Sequence, residues 1–139
     1  MGTAGHESVE HTADLAIRAW APDLRGLVEQ AARAMVGLLL TRQPTPERTV
    51  VVEGEGPTPE ELLVDCLREI LLLVELEALV PVEVEVLEVT GERARCRVGV
   101  VPLSAVRPWR AHEIKAVTYH GLEIERTQRG LQVQVVFDI

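Results

Sequence analysis

The segment from Thr58 to Val74 constrains the fold of this chain most strongly. Its first four residues, Thr58-Pro59-Glu60-Glu61, have the pattern of a helix capping box with proline at the first helical position. Apolar side chains then recur at intervals of three and four residues, at Leu62, Leu63, Cys66, Leu67, Ile70, Leu71 and Val74. This spacing predicts an amphipathic helix whose apolar face packs against other elements in the core.

A strand followed by another amphipathic helix is predicted earlier in the chain. Apolar and polar residues alternate in 14–20, which is typical of a strand, and Pro22 then interrupts the pattern. Asp23 can cap the N-terminus of a helix. The apolar positions of that helix again follow helical spacing, at Leu24, Leu27, Val28, Ala31, Met35, Leu38 and Leu39.

Most other segments have the two-residue alternation of β-strands. In 82–100, valines alternate with glutamates before the turn Thr90-Gly91-Glu92 and arginines alternate with small apolar residues after it, which predicts an antiparallel hairpin. Further extended segments are predicted at 6–10, 50–52, 114–120 and 133–137, and a long surface loop at 102–112. This order favours an α+β fold with two amphipathic helices packed on a mixed, mostly antiparallel β-sheet.

Length and composition limit the classes of protein to which the chain can belong. A length of 139 residues favours one domain over 1–139. The net charge of −8 and the lack of a Lys/Arg-rich run argue against direct binding of nucleic acid and favour a basic protein partner or a cation. With aromatic residues at 3%, a surface that stacks bases is not expected.

The chain shows no targeting or membrane-spanning pattern. The first residues lack a basic and apolar signal region, and no apolar run approaches the roughly 18 residues that span a bilayer. Cys66 and Cys96 lack the spacing of metal ligands, so we expect two buried thiols in a reducing compartment. We therefore expect a soluble, cytoplasmic protein.

Two predicted strands have an aspartate at one end. Asp14 opens the strand at 14–20, and Asp138 closes the last strand beside Ile139, which carries the terminal carboxylate. If the two strand ends meet in a sheet, three carboxylates converge and could bind a hard cation such as calcium or magnesium. Alternatively, Asp14 caps a turn and Asp138 is a solvated terminal residue. The chain uses only 4 aspartates against 18 glutamates, which favours a specific role for these short carboxylates.

Other chemistry has weaker support in the sequence. His11, His112 and His120 lack the spacing of a zinc site, and the chain has no phosphate-binding loop and no motif for a nucleophilic serine. Lys115 is the only lysine, which suits either a contact residue or simply an arginine-rich composition. Trp109 either anchors a partner or covers the core.

Together these motifs resemble the archease family. The resemblance rests on Glu10-His11-Thr12-Ala13-Asp14, on Leu62-Leu63, Leu67 and Glu69-Ile70-Leu71, on Ile114-Lys115-Ala116-Val117-Thr118-Tyr119-His120, and on Val136-Phe137-Asp138-Ile139. It covers nearly the whole chain in order, and the first and third motifs are specific. Only the proline-rich 43–46 connection and the 102–112 loop match no pattern of the family.

The resemblance implies a non-enzymatic activator of the GTP- and manganese-dependent RNA ligase of tRNA splicing, which promotes guanylylation of the ligase and its multiple turnover. It implies a metal site at Asp14, Asp138 and Ile139, with calcium as the expected cation. His11, Lys115 and His120 are then expected to contact the partner or support the site.

Other functions remain open at this point. The family has also been viewed as a chaperone-like modulator of a tRNA methyltransferase. A small metal-dependent hydrolase would use the same carboxylates, although no general base is evident. A purely structural subunit would need neither metal nor Ile139.

Overall fold

The computed structural model describes residues 2–10 and 14–139. In chain order the elements are β1 (Gly5–Glu10), β2 (Asp14–Ala21), α1 (Leu24–Val36), β3 (Arg48–Glu55), α2 (Pro59–Glu77), β4 (Leu79–Thr90), β5 (Arg93–Pro102), α3 (Leu103–Val106), a 3-10 helix (Arg107–Trp109), β6 (Ala116–Val117), β7 (Glu125–Thr127) and β8 (Gly130–Asp138). The α+β fold is thereby confirmed.

The strands form two sheets rather than the single sheet that the sequence pattern predicts. One sheet has the order β1-β2-β8-β6, with β7 also paired to β8, and the other has the order β3-β5-β4. Every pair of these strands within the described residues is antiparallel. Two sheets form because α1 and α2 each contact strands of both sheets, so the helices join sheets that do not pair with each other.

The described residues form two apolar clusters, a large main one and a smaller second one. The main cluster includes Ile17 of β2, Leu27 of α1, Leu67 of α2, Val98 of β5 and Phe137 of β8, all completely buried. Burying apolar side chains of this size contributes roughly 1.5–3 kcal/mol each, so the contacts between helices and sheets hold the fold together. The two apolar helix faces are therefore covered as their spacing predicts.

Both predicted helix starts are confirmed by their hydrogen bonds. The Asp23 carboxylate accepts a hydrogen bond from the Gly26 amide at 2.8 Å at the start of α1. At the start of α2, the Thr58 hydroxyl accepts one from the Glu61 amide at 3.2 Å. Each cap satisfies an amide that would otherwise lack a partner in the first turn.

The hairpin of β4 and β5 is also confirmed. Glu85 lies opposite Arg97, with Nη1 and Oε1 2.8 Å apart, and Glu88 lies opposite Arg95 at 3.7 Å. About half of each of these side chains is exposed. Exposed pairs of this kind typically contribute about 0–1 kcal/mol, so they specify the pairing of the strands more than they stabilise them.

Two predicted segments differ from the structure. The 102–112 segment contains α3 and a 3-10 helix instead of an irregular loop, because Leu103 and Val106 bury their side chains in a second apolar cluster one turn apart. In 114–120, only Ala116–Val117 is a strand. Trp109 packs against the same second cluster, and the Arg42 guanidinium lies 3.7 Å from its ring centroid, so it covers part of the core.

None of the helices in the described part of the chain is long and apolar enough to cross a membrane.

Candidate metal centre

The two aspartates singled out in the sequence lie next to each other at one end of the five-stranded sheet. β2 begins at Asp14, β8 ends at Asp138, and the antiparallel register pairs these two residues directly. Opposite residues in such a pair have Cα atoms about 4.5–5.5 Å apart and side chains on the same face. The alternating pattern sets this register, because Ile17, Val135 and Phe137 must face the core.

One carboxylate oxygen of Asp14 is buried without a partner. Oδ1 of Asp14 is inaccessible to solvent and forms no hydrogen bond with any described residue. Leaving a buried polar atom unpaired costs about 1–3 kcal/mol, and native proteins rarely retain one without a reason. A bound cation would supply the missing partner, so the site fits a divalent metal ion that prefers oxygen ligands.

The electrostatics of the pair also suit a cation. None of the ion pairs formed among the described residues includes Asp14 or Asp138. Arg18 lies four residues after Asp14 on the same face of β2. It is already paired with Glu7 at 2.6 Å and donates a hydrogen bond to Gln134 at 3.0 Å. Two neighbouring carboxylates repel each other, and a cation between them would remove that repulsion.

The end of β8 beside the paired aspartates is exposed to solvent. Asp138 and Ile139 are both exposed, and Ile139 directly follows the paired aspartate. Among the described side chains, no group of three or more His, Cys, Asp or Glu residues could hold a metal ion. Two aspartates are fewer ligands than such a cation takes, so a site here would need further oxygen ligands.

The three predicted supporting residues lie in different places. Lys115 is adjacent to the site, because its amide donates to the Asp138 carbonyl at 2.8 Å and Ala116 pairs with Asp138. His120 is exposed and lies beyond β6, which runs away from this end of the sheet, and its amide donates to the Thr118 hydroxyl at 3.3 Å. His11 lies outside the described residues.

A groove that the sequence pattern did not point to lies beside the paired aspartates. It has a volume of about 640 Å³ and lies between the C-terminal half of α2, the segment after α1, and residues 110–117. Its aliphatic walls include Leu40, Leu71, Leu72 and Val74. The unbroken apolar run at 70–74 was a signal for it, because a helix with one covered face does not need five consecutive apolar residues.

The fold and the acidic sheet end thus define a small α+β protein with a candidate metal site and no other cluster of metal-ligating side chains in its described part. Residues 6–139 match the model of the Archease protein family (MTH1598/TM1083), and the chain belongs to this family. This match to the family model confirms the resemblance found in the sequence.

Individual relatives match over nearly their full length. The chain is 36% identical to protein archease of Methanosarcina acetivorans, covering 96% of this chain and 95% of that protein. It is 38% identical to protein archease of Archaeoglobus fulgidus, covering 94% and 96%. A vertebrate relative, protein archease of Danio rerio, is 32% identical over 99% of this chain and 86% of that protein.

Two solved structures share the fold. The solution structure of Methanobacterium thermoautotrophicum protein 1598 has a TM-score of 0.69 at 23% identity and covers 97% of this chain and 99% of that one. The crystal structure of an archease from Thermotoga maritima, described as a "possible chaperone", has a TM-score of 0.65 at 24% identity and covers 94% of each chain.

Proposed function

We propose that this chain is a non-enzymatic activator of the GTP- and manganese-dependent RNA ligase of tRNA splicing, promoting guanylylation of the ligase and its multiple turnover. Membership of the archease family supports the partner. The observation that carries the proposal is the pairing of Asp14 with Asp138, with a buried Asp14 oxygen that has no hydrogen-bond partner among the described residues.

The same end of the sheet would hold a divalent cation, for which calcium is the expected identity. Asp14, Asp138 and the carboxylate that the sequence carries on Ile139 would be its protein ligands, since hard cations select carboxylate oxygens. When bound, the cation would offset the repulsion between the carboxylates and attract phosphate oxygens. Lys115 would hold Asp138 in place through the hydrogen bond from its amide, 2.8 Å long.

The exposed position of Asp138 and Ile139 suits a role in contacting the ligase. An acidic end of a protein with a net charge of −8 would be attracted to the basic active site of an RNA ligase. The protein would then act by placing charge at the ligase, while the ligase itself performs the chemistry. His11 and His120 are proposed only as contact or supporting residues.

A multiple-turnover ligation assay tests the proposal directly. RNA ends are incubated with GTP, manganese and a substoichiometric amount of purified ligase, with and without this protein. We expect the wild-type protein to raise the number of turnovers and Asp14→Ala or Asp138→Ala to abolish the increase. Glu88→Gln, which alters an exposed pair on the other sheet, is the control and should stimulate like the wild type. Full stimulation by Asp14→Ala would contradict the proposal.

A chaperone-like role is the second candidate, because the Thermotoga maritima relative is described as a "possible chaperone". It predicts that the protein raises the soluble, active fraction of a tRNA methyltransferase without affecting the ligase. A hydrolase would instead show metal-dependent phosphoesterase activity in the isolated protein. Measuring both activities alongside ligation separates the three functions.

A further inference from the structure

The groove beside the paired aspartates has the features of a docking surface. Its wall on α2 is aliphatic, formed by Leu71, Leu72 and Val74, and these side chains are only half buried. Its volume of about 640 Å³ is large enough to receive one or two apolar side chains. Apolar surface left open in this way is typical of an interaction site.

The apolar surface continues beyond the groove. Leu76 lies one helical turn after Leu72 on α2 and is 72% exposed. Tyr119 is 48% exposed and lies beneath the Arg68 guanidinium, 5.2 Å from the ring centroid, and Arg68 also lines the groove. Two of the exposed large apolar side chains in the described chain therefore flank this groove.

The rim of the groove is cationic, although the chain as a whole is acidic. Arg68, Arg110 and Lys115 line it, and none of them forms an ion pair with the described acidic residues. Four arginines of the strands, in contrast, pair with a glutamate on a neighbouring strand, as Arg97 does with Glu85. The rim also carries Glu75 and Glu113, which leaves one excess positive charge in a chain of net charge −8.

We propose that this groove anchors a segment of the RNA ligase in which apolar side chains are flanked by aspartate or glutamate, and this inference rests on the function proposed above. The apolar side chains would enter between α2 and 114–117, and the carboxylates would pair with Arg68, Arg110 and Lys115. A small organic ligand fits less well, because the cationic groups lie exposed at the rim and not at defined positions in the aliphatic interior.

A ligase segment docked in the groove would be held close to the paired aspartates of the candidate metal centre. Ala116 lines the groove and is the strand partner of Asp138, which in turn pairs with Asp14. A segment held against Ala116 would therefore lie one strand away from the paired aspartates. Apart from Lys115, whose amide contacts Asp138, docking and activation would use adjacent but separate residues, so they can be separated by mutation.

Binding measurements on groove variants test this inference. Arg68→Glu reverses the charge of the rim, and Leu72→Asp places a carboxylate on the apolar wall. We expect each to weaken binding to the purified ligase at least tenfold by calorimetry, because Arg68→Glu would face the partner's carboxylates with a like charge and Leu72→Asp would bury a charge in the apolar contact. Arg126→Glu on β7 and Val51→Asp on β3 are matched controls outside the groove and should bind like the wild type.

Two further measurements make the result decisive. Far-UV circular dichroism and melting temperature establish that each variant is folded. If Leu72→Asp does not fold, Arg68→Glu still tests the groove, because it changes an exposed side chain. The stabilisation by added calcium should be the same as in the wild type, because the aspartates are untouched. Wild-type affinity of both groove variants would overturn the docking site while leaving ligase activation by the wild type intact. Absence of any binding or activation by the wild type would instead overturn the proposed function and the docking site together.

Discussion

The burial of one Asp14 oxygen is unfavourable for the stability of the fold but suits the proposed binding of a cation. The Oδ1 atom of Asp14 is buried without a hydrogen bond from the described residues. An oxygen in this position destabilises the metal-free protein, whereas a cation at the same position would convert it into a ligand. Binding of the proposed cation would therefore account for a carboxylate that folding alone does not favour.

In Asp14→Ala, we expect the metal-free protein to be at least as stable as the wild type, with a gain of up to about 1 kcal/mol. Calcium at a hundred times its dissociation constant should stabilise the wild type by about 2.7 kcal/mol and leave the variant unchanged. Thermal unfolding in chelator and in calcium measures both effects.

Asp65 provides the matched control, because its carboxylate accepts a hydrogen bond from the Glu55 amide at 2.8 Å. Asp65→Ala should lose about 1 kcal/mol and keep the calcium effect. A calcium-induced increase in Asp14→Ala equal to that of the wild type would contradict the metal site.

The two cysteines are predicted to be chemically inert in the folded protein. Cys66 and Cys96 are free and completely buried, and the hydrogen bond with Cys96 together with burial raises the pKa of the Cys66 thiol. Since only an accessible thiolate reacts with alkylating agents, labelling at pH 7–8 should require unfolding. Mass spectrometry after iodoacetamide treatment with and without urea measures this, and rapid labelling of Cys66 in the native protein would refute it.

At the scale of elements, a polar clamp connects α1 to β4. Glu29 of α1 is the one buried charged side chain in the described chain, and it accepts a hydrogen bond from the Val86 amide at 2.9 Å. Arg25 and Arg33 pair with it at 3.1 and 3.4 Å. The same arginines donate to the Val86 and Val84 carbonyls, each at 3.0 Å.

Removal of this carboxylate should loosen the contact between α1 and the three-stranded sheet. In Glu29→Ala, the Val86 amide loses its acceptor and two guanidinium groups lose their counter-charge, so we expect a loss of about 2–3 kcal/mol in the free energy of unfolding. Glu85→Ala, which removes an exposed pair with Arg97, should lose less than about 1 kcal/mol. Urea denaturation compares the two, and equal losses would show that the clamp does not stabilise the protein.

The sequence predicted best those elements that depend on neighbouring residues or on one periodic pattern. The caps at Asp23 and Thr58, the helix at 59–77 and the hairpin with Glu85 opposite Arg97 each follow from neighbouring residues or from one periodic pattern. The separation into two sheets has no such signal, because it depends on how both helices pack between strands that are distant in the chain.

The candidate site likewise has a part that the sequence indicated and a part that it did not. The sequence pointed to Asp14 and Asp138 because each lies at the end of an apolar strand pattern, but whether the two strand ends meet was left open until the register paired them. The apolar run at 70–74 signals only one wall of the groove, because the other walls come from separate segments near Leu40 and Ile114 that share no spacing with it. The ligand set proposed for the metal, including Ile139, came from the family resemblance and stays a prediction.

At the scale of the whole molecule, charge should control how fast the protein meets its partner. The net charge of −8 is large for 139 residues, and Asp14 and Asp138 at the proposed contact end form no ion pair with the other described residues. We expect the association rate with the ligase to fall at least tenfold between about 50 and 500 mM NaCl, because salt screens attraction beyond a few ångströms. Stopped-flow or surface-based kinetics measure this rate, and an association rate independent of salt would contradict electrostatic steering.

The ladder between β2 and β8 has a consequence for the order of events during folding. It joins residues 14 and 138, which lie 124 positions apart (138 − 14 = 124). Contacts between such distant residues form late, because a long loop must close before they gain any stabilisation. The proposed metal site would thus be absent from a partly folded chain in which β2 and β8 have not yet paired.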